Sequence, residues 1–308
     1  MNMQFRTDLA MEQNWQGREG VCQHVQKLGH VQKTEVIIET DQAADWMGKP
    51  KGSYITYACD GLYYADAQER MALSRLIAGT LKKLVPRDGD VLIVGLGNRR
   101  ITADALGSRV LDDLLITRHL NRDKTRALWP GMRSVCALAP GVLGITGMET
   151  AEVIRGIVKN VQPSAVIAID ALAAREAGRI CTTVQITDTG IQPGSGVGNH
   201  RQGLNRETLG VPVIAIGVPM VVYAGVIARD ALQLMLREMG LKQEEYEETA
   251  AYLLEKSMQH TLGEMVVTPR EVDEMVGRVA RIIADGINEA LQQGLSREEM
   301  MELAHDGL

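Results

Sequence analysis

The hydrophobic pattern of the chain contains two near-continuous aliphatic runs, over 91–95 and 165–169. Each is followed by residues with helical spacing. Runs of this kind are typical of buried parallel strands in an α/β sheet. Alternating or apolar segments predict further strands over 34–40, 134–138, 182–187 and 212–217, and another strand after a turn within 48–58.

Helical spacing predicts most of the remaining regular structure. The predicted helices cover 67–85, 102–114, 148–160, 222–239 and 243–258. A last helix should start near Thr268 and run to about residue 293, because Thr268 can cap, Pro269 suits the first turn and Glu271 completes a capping box. Residues 1–30 are polar and rich in Gln and Gly, which favours a loosely held arm.

Two aspartates follow the aliphatic runs. Asp170 stands directly after the run 165–169, and Asp104 lies in the loop that leaves the run 91–95. Ligands of open α/β sheets bind at the carboxyl ends of the strands. Two carboxylates at one such edge can share a proton or a metal ion, and either arrangement activates water. An aspartate after a strand also commonly caps the next helix, so this structural role stays open.

Composition narrows the classes of function. The 308 residues are 45% hydrophobic and 23% charged, which suits a large globular core. The net charge of −6 gives no support for direct binding to nucleic acid. The four cysteines form no CxxC pair, which favours reduced thiols. No apolar signal core and no run of about 18 apolar residues is present, so we expect an intracellular protein without a membrane contact.

Glycine-rich stretches follow several of the predicted strands. The turn before Asn98 lacks the third glycine of a dinucleotide loop, since Arg100 stands there, and a tight turn near the site is the better interpretation. The triplet Asp188-Thr189-Gly190 is similar to that of pepsin-like proteases, but those are all-β and use two triplets. We expect the stretch 188–199 to cover the active edge as a mobile loop. The candidate substrate-binding residues are Gly97, Asn98, Gly147, Glu149, Asp188, Gly194, Ser195 and Gly196.

Metal and nucleophile motifs are missing from the sequence. It contains no HExxH, no Cys-rich metal motif and no GxSxG elbow. His119 and His200 are candidate ligands only if a metal site exists. We therefore expect no cofactor, with a metal ion kept as an alternative.

A set of longer motifs extends over nearly the whole chain. These are the segments Arg6–Ala10, Gly48–Tyr54, Val94–Asn98, Asp104–Gly107, Leu115–Leu120, Pro140–Val142, Gly147–Thr150, Ile167–Arg175, Asp188–Asn199, Thr208–Pro219 and Val267–Asp273. With these motifs the chain resembles the spore germination proteases, endopeptidases that degrade small acid-soluble spore proteins. One departure is Tyr223, where the family pattern has an aspartate, and this puts any role of that acidic group in doubt.

The resemblance implies a mechanism and a setting. Asp104 and Asp170 match the family's proposed catalytic pair, which implies aspartate-assisted peptide hydrolysis without a covalent intermediate. The substrates would be small acid-soluble spore proteins, in the cytoplasm of the spore core, and the enzyme would be a homotetramer.

The resemblance also implies that the protein is made as an inactive precursor. Residues 1–15 would be a leader that the enzyme removes itself, and residues 16–308 a single α/β peptidase domain with peripheral N-terminal strands and a C-terminal helix. The spacing around Ala10 is similar to the cleavage pattern of the substrates. We therefore predict cutting between Ala10 and Met11, favoured by mild acid.

A more distant likeness is to the hydrogenase-maturation endopeptidases, which also place a Gly-x-Gly-Asn turn before an acidic residue. It implies a three-layer α/β/α sandwich with a mostly parallel sheet. It also supplies an alternative, metal-dependent proteolysis with Asp104, Asp170 and His119 or His200 as ligands. A further alternative is an inactive regulatory binding protein on the same fold.

Overall fold

The computed structural model describes residues 7–13, 18–121, 129, 131–192, 202–240, 265–296, 298–300 and 303. The predicted helix over 243–258 lies outside the described residues. So do four of the candidate site residues, Gly194, Ser195, Gly196 and His200.

Strands of the described residues form one mixed sheet with the order β1-β2-β3-β7-β8-β6-β4-β5, and β9 pairs with β8. The strands are β1 (Val21–Leu28), β2 (Val31–Ile38), β3 (Gly52–Cys59), β4 (Val91–Gly95), β5 (Val135–Leu138), β6 (Ala165–Ala174), β7 (Thr183–Thr187), β8 (Val213–Tyr223) and β9 (Val266–Val267). Strands β8, β6, β4 and β5 are parallel to one another, whereas the pairs on the β1 to β7 side are antiparallel.

Helices flank this sheet. They are α1 (Asp41–Met47), α2 (Ala67–Leu84), α3 (Leu106–Val110), α4 (Leu143–Thr146), α5 (Thr150–Val161), α6 (Arg206–Leu209), α7 (Ala224–Glu238) and α8 (Val272–Leu291). Helix α2 begins with a capping box in which Asp66 accepts from the backbone of Glu69, and the Glu69 side chain accepts from the amide of Asp66.

The parallel strands separate two apolar layers. Successive side chains of a strand point to opposite faces. Accordingly Ile93 packs in the cluster that contains α2 and α8, and Leu92 packs in the cluster that contains α5. Both side chains are almost fully buried. Helices thus cover both faces of the sheet, which confirms the α/β class and the three-layer arrangement.

Several predicted elements differ from the structure. The N-terminal region contains β1 and α1, which were not predicted. Strand β1 has a polar sequence because it is a largely exposed edge strand. The predicted helix 102–114 is interrupted: a 3₁₀ turn precedes α3 and another follows it. Thr268 does not cap α8, because its hydroxyl donates to the carbonyl oxygen of Met220, and the helix begins only at Val272.

Candidate active site

Asp170 lies inside a strand and not at its end, contrary to the prediction. Strand β4 ends at Gly95, which pairs with Ile169 of β6. Strand β6 continues beside β8, where Asp170 pairs with Gly217. Asp170 is therefore the first residue of β6 that extends past the carboxyl end of β4, and the sheet opens beside it.

Asp104 reaches the same edge through the loop that leaves β4. The amide of Leu96 donates to the carbonyl oxygen of Ile169 at 2.8 Å, so the loop follows β6 to the point where Asp170 begins. Gly97 has φ of +93°, and a Cβ at this position would overlap with the carbonyl oxygen of Asp104. The amide of Asn98 donates to Oδ2 of Asp104 at 2.8 Å. The glycine turn thus positions the Asp104 carboxylate.

The two carboxyl groups differ in burial and therefore in electrostatic environment. Asp170 is only 8% exposed, whereas Asp104 is half-buried. Desolvation raises the pKa of Asp170 well above its ordinary value of 3.8, and the charge of Asp104 raises it further. A hydrogen bond from the amide of Ala171 to Oδ1, at 2.9 Å, opposes these effects. The arrangement favours a protonated Asp170 beside the charge of Asp104.

Both aspartates line one large cleft. Its volume is about 980 Å³, and its walls include Gly97, the segment 46–50, Tyr54 and Tyr223. Tyr54 is buried, which raises its phenol pKa to about 12, and its hydroxyl donates to the carbonyl oxygen of Pro50 at 2.8 Å. At position 223 the cleft wall therefore has an aromatic side chain.

Residues 7–13 of the N-terminal arm enter this cleft and are firmly held, contrary to the prediction of a loose terminus. Leu9 and Ala10 are fully buried. Gln185 accepts from the amide of Ala10 at 2.8 Å through its Oε1 and donates to the carbonyl oxygen of Asp8 at 3.2 Å through its Nε2. Lys49 also donates to this carbonyl oxygen, at 2.9 Å. Asp8 itself lines the cleft, and its charge contributes to the raised pKa of Asp170.

Of the other predicted substrate-binding residues that the structure describes, Gly147, Glu149 and Asp188 do not line the cleft. Gly147 ends α4 with φ of 70°, and Glu149 directly precedes α5. Asp188 is exposed and accepts from the amide of Ser53 at 2.9 Å. It therefore links the residue that follows β7 to strand β3. Its neighbour Thr189 does line the cleft.

His119 is at the wrong edge of the sheet for the metal alternative. It is exposed and follows Arg118, whose Nε lies 3.2 Å from Oδ2 of Asp90, just before the amino end of β4. The aspartate pair lies at the opposite end of that strand. Among the described residues, no three His, Cys, Asp or Glu side chains are grouped so that they could hold a metal ion.

Three residues that line or border the cleft were not predicted from the sequence as site residues. They are Asp8, Lys49 and Gln185. Gln185 had a usable signal, because a polar side chain in a strand as buried as β7 requires a partner. Asp8 and Lys49 had none, since both belong to polar segments that are distant in sequence from the aspartate pair.

Comparison with known proteins identifies a family. The sequence profile of a peptidase family described as germination protease matches residues 1–264. The chain belongs to this family. It is therefore a protease, and the resemblance in its motifs is confirmed.

Relatives match the chain over nearly its full length. The germination protease of Caldanaerobacter subterraneus subsp. tengcongensis is 42% identical, covering 98% of this chain and 98% of the relative. That of Clostridium acetobutylicum is 41% identical, covering 96% and 97%. That of Bacillus cereus is 36% identical, covering 97% of each chain.

Among solved structures, the [NiFe] hydrogenase maturation protease HycI from Thermococcus kodakarensis KOD1 matches with a TM-score of 0.34 and 16% identity. The match covers 68% of this chain and 98% of that one.

Within the described part of the chain, none of the helices has the length and apolarity needed to span a bilayer.

Proposed function

We propose that the protein is an endopeptidase that hydrolyses peptide bonds with Asp104 and Asp170 as an acid–base pair. The observation that carries the proposal is the contrast between the two carboxyl groups. Asp170 is buried with a raised pKa, and Asp104 accepts an amide hydrogen bond that stabilises its anion. Pairs of titratable groups whose surroundings push their pKa values apart are typical of acid–base sites.

The proposed reaction assigns the two roles that the sequence left open. Asp104 takes a proton from water while the water oxygen bonds to the scissile carbonyl carbon. Asp170 donates its proton to the carbonyl oxygen. When the C–N bond breaks, the leaving nitrogen receives the proton that Asp104 holds, and the hydroxyl proton of the tetrahedral intermediate returns to Asp170. No covalent bond between enzyme and substrate forms.

The substrates would be small acid-soluble spore proteins, degraded during germination in the cytoplasm of the spore core. Membership of the germination protease family supports this setting. Chains that are unstructured when free can lie extended in the cleft without the cost of unfolding. We also propose that the chain is a self-processing precursor, because the arm containing Ala10 already lies in the cleft.

Separate replacement of the two aspartates tests the mechanism. Asp104→Asn and Asp170→Asn should each lower the rate of peptide cleavage by a factor on the order of 10²–10⁴, because the amide keeps the shape but cannot transfer the proton. Thermal unfolding should show that both variants remain folded. Asp90→Asn, at the amino end of β4, is the matched control and should keep full activity.

The same variants separate the proposal from its alternatives. A folded variant of either aspartate with near-normal activity would contradict the catalytic pair. Cleavage that is lost on chelation and restored by an added divalent metal would favour the metal-dependent alternative. A regulatory binding protein would show no cleavage in the unmodified chain either, while binding of the substrate would survive both replacements.

A further inference from the structure

The carboxylate of Glu12 lies among donors contributed by the segment that follows β6. Its Oε2 accepts from the amide of Arg175 at 2.7 Å, and its Oε1 accepts from the amide of Glu176 at 3.0 Å. Nε of Arg179 lies 3.0 Å from Oε1. We call these two amides and the guanidinium group the carboxylate cage. The hydroxyl of Thr7 also donates to Oε2.

Burial makes the carboxylate cage selective for a charged acid. The Glu12 side chain is only 1% exposed, so it has almost no contact with water. A buried carboxylate is tolerated only when its charge is paired and its oxygens accept hydrogen bonds. The cage supplies both. A carboxamide has a single acceptor oxygen, and its NH₂ group would face the donors of the cage, so glutamine cannot satisfy it.

Much of the rest of the arm is bound through main-chain atoms, in the manner of a peptide ligand, and the Asp8 carboxylate also accepts from the amide of Ala173 at 2.8 Å. The amide of Asp8 donates to the carbonyl oxygen of Ala173 at 3.0 Å, which extends the sheet at the end of β6. Gln185 bonds to the main chain of Asp8 and Ala10, and Lys49 bonds to that of Asp8. Any extended peptide can make such contacts, because they involve only the backbone. The carboxylate cage, by contrast, recognises a side chain, because two amides and a guanidinium group surround a single carboxylate.

Arg175 adds donor capacity at the same place. One of its terminal nitrogens donates to the carbonyl oxygen of Glu12 at 3.2 Å. Its Nε is buried without a hydrogen-bond partner in the part of the chain that the structure describes. A buried donor without a partner is unusual and calls for a ligand or water that satisfies it.

We propose that the carboxylate cage is a substrate subsite, which receives an acidic side chain of the peptide to be cleaved. Glu12 occupies the subsite in cis while the arm is in place, and an acidic peptide occupies it in trans once the arm is displaced. The proposal rests on the proposed function, since it assigns a specificity determinant to that protease. Arg179 supplies the positive charge of the subsite.

A binding experiment on the full-length chain tests this without relying on catalysis. The chain carries Asp104→Asn, which prevents cleavage, and Glu12→Ala, which vacates the cage in cis. The probe is a fluorescein-labelled octapeptide with the sequence of residues 6–13. Its anisotropy should show at least tenfold tighter binding to this double variant than to the chain with Asp104→Asn alone. Replacing the glutamate of the probe by glutamine should weaken binding about tenfold or more, because charge-assisted hydrogen bonds are lost.

Further variants locate the effect. Arg179→Ala in the same background should abolish the preference for the glutamate probe, and Arg179→Lys, which keeps the charge, should retain part of it. Arg118→Ala removes an arginine at the opposite end of the strands and should leave binding unchanged. The comparison of the two probes uses one and the same protein, so it does not depend on how a further variant folds.

The proposal and the protease mechanism fail in different ways. Equal affinity for the glutamate and glutamine probes, no binding of either probe to the folded double variant, or an intact preference after Arg179→Ala would overturn the subsite. None of these results bears on hydrolysis. Conversely, near-normal cleavage by the folded Asp104→Asn chain, together with an intact preference for the glutamate probe, would refute the aspartate mechanism and leave the subsite standing.

Discussion

Asp8 and Ala173 are joined by a reciprocal pair of hydrogen bonds. The amide of Asp8 donates to the carbonyl oxygen of Ala173 at 3.0 Å, and the amide of Ala173 donates to the Asp8 carboxylate at 2.8 Å. Ala173 lies on β6, the strand that also carries Asp170. The arm is thus fixed to the strand that carries Asp170, and the Asp8 carboxylate adds to the charge that disfavours ionisation of Asp170.

Self-processing is the first prediction that depends on this arm. We expect cleavage between Ala10 and Met11 when the purified protein is incubated in mild acid. Ala10 is fully buried, and its carbonyl oxygen accepts from the amide of Gln13 at 3.2 Å. Because this turn must open before the bond reaches the aspartates, processing should be slow.

Mass spectrometry of the incubated protein checks this. It should reveal a new N-terminus at Met11 that is absent when the chain carries Asp104→Asn. A full-length chain that stays intact and is already active would contradict the precursor proposal, whereas a cut at another bond would correct only its position.

The raised pKa of Asp170 predicts a pH-dependent gain in stability from Asp170→Asn. A raised pKa means that the folded chain binds the proton more tightly than the unfolded chain. The contribution of Asp170 to stability is therefore fully present below its ordinary pKa of 3.8 and is lost as the pH rises through its folded value. Asparagine at position 170 cannot ionise, so the variant does not lose stability in this way as the pH rises. It should match the unmodified protein in acid and exceed it in free energy of unfolding at neutral pH.

Urea unfolding at a series of pH values measures the difference. Asp104→Asn provides a second test. Removing the Asp104 charge lowers the pKa of Asp170, so the loss of stability should occur at lower pH. A difference between Asp170→Asn and the unmodified chain that is the same at every pH would contradict the assignment of Asp170 as the protonated partner.

The glycine turn before Asp104 predicts that Gly97→Ala impairs catalysis. A non-glycine residue in the left-handed region costs about 1–2 kcal/mol, and the added Cβ would displace the main chain of Asp104. We expect a loss of activity larger than this modest loss of stability explains, because the carboxylate moves relative to Asp170. Gly156→Ala is the control. Its Cβ meets nothing within 4 Å inside α5, so it should preserve activity and stabilise the helix by about 0.5–1 kcal/mol.

The aspartate pair could be found from sequence because strand and loop patterns are local. An aliphatic run such as 91–95 fixes where a buried strand lies, and its end fixes where Asp104 emerges. The strand that contains Asp170 was harder to delimit. Its continuation beyond residue 169 pairs only with β8, and this pairing depends on residues distant in the chain.

The cleft walls and the arm were not predictable for the same reason. Lys49, Gln185 and Asp8 belong to three separate segments, and only the antiparallel side of the sheet brings them together. Glu12 belongs to the spacing around Ala10 that is similar to the cleavage pattern of the substrates. Its burial against Arg179 depends on the turn after β6, which no local pattern specifies.

Substrate conformation provides a further prediction. The arm contacts the groove through main-chain amides and carbonyls that a folded protein keeps in its own secondary structure. Unstructured acidic proteins and peptides should therefore be cleaved, and compact folded proteins should resist until they are denatured. Gel electrophoresis of one test protein, incubated in its folded form and in a permanently unfolded, alkylated form, distinguishes these cases. Equal cleavage of both forms would contradict the groove as the route of the substrate.

Oligomerisation is the last prediction. The family resemblance implies a homotetramer. Leu234 and Met235 of α7 are 60% and 63% exposed, and Met239, directly after the helix, is 75% exposed. Exposed apolar clusters of this kind mark contact surfaces. We expect light scattering coupled to gel filtration to give the mass of a tetramer. Replacing Leu234 and Met235 together by glutamate should shift the mass towards smaller species, while replacing Val25, an exposed side chain of the edge strand β1, should not. A monomeric mass for the unmodified chain at working concentration would refute the prediction. An unchanged tetramer after the double replacement would show that the interface does not include α7.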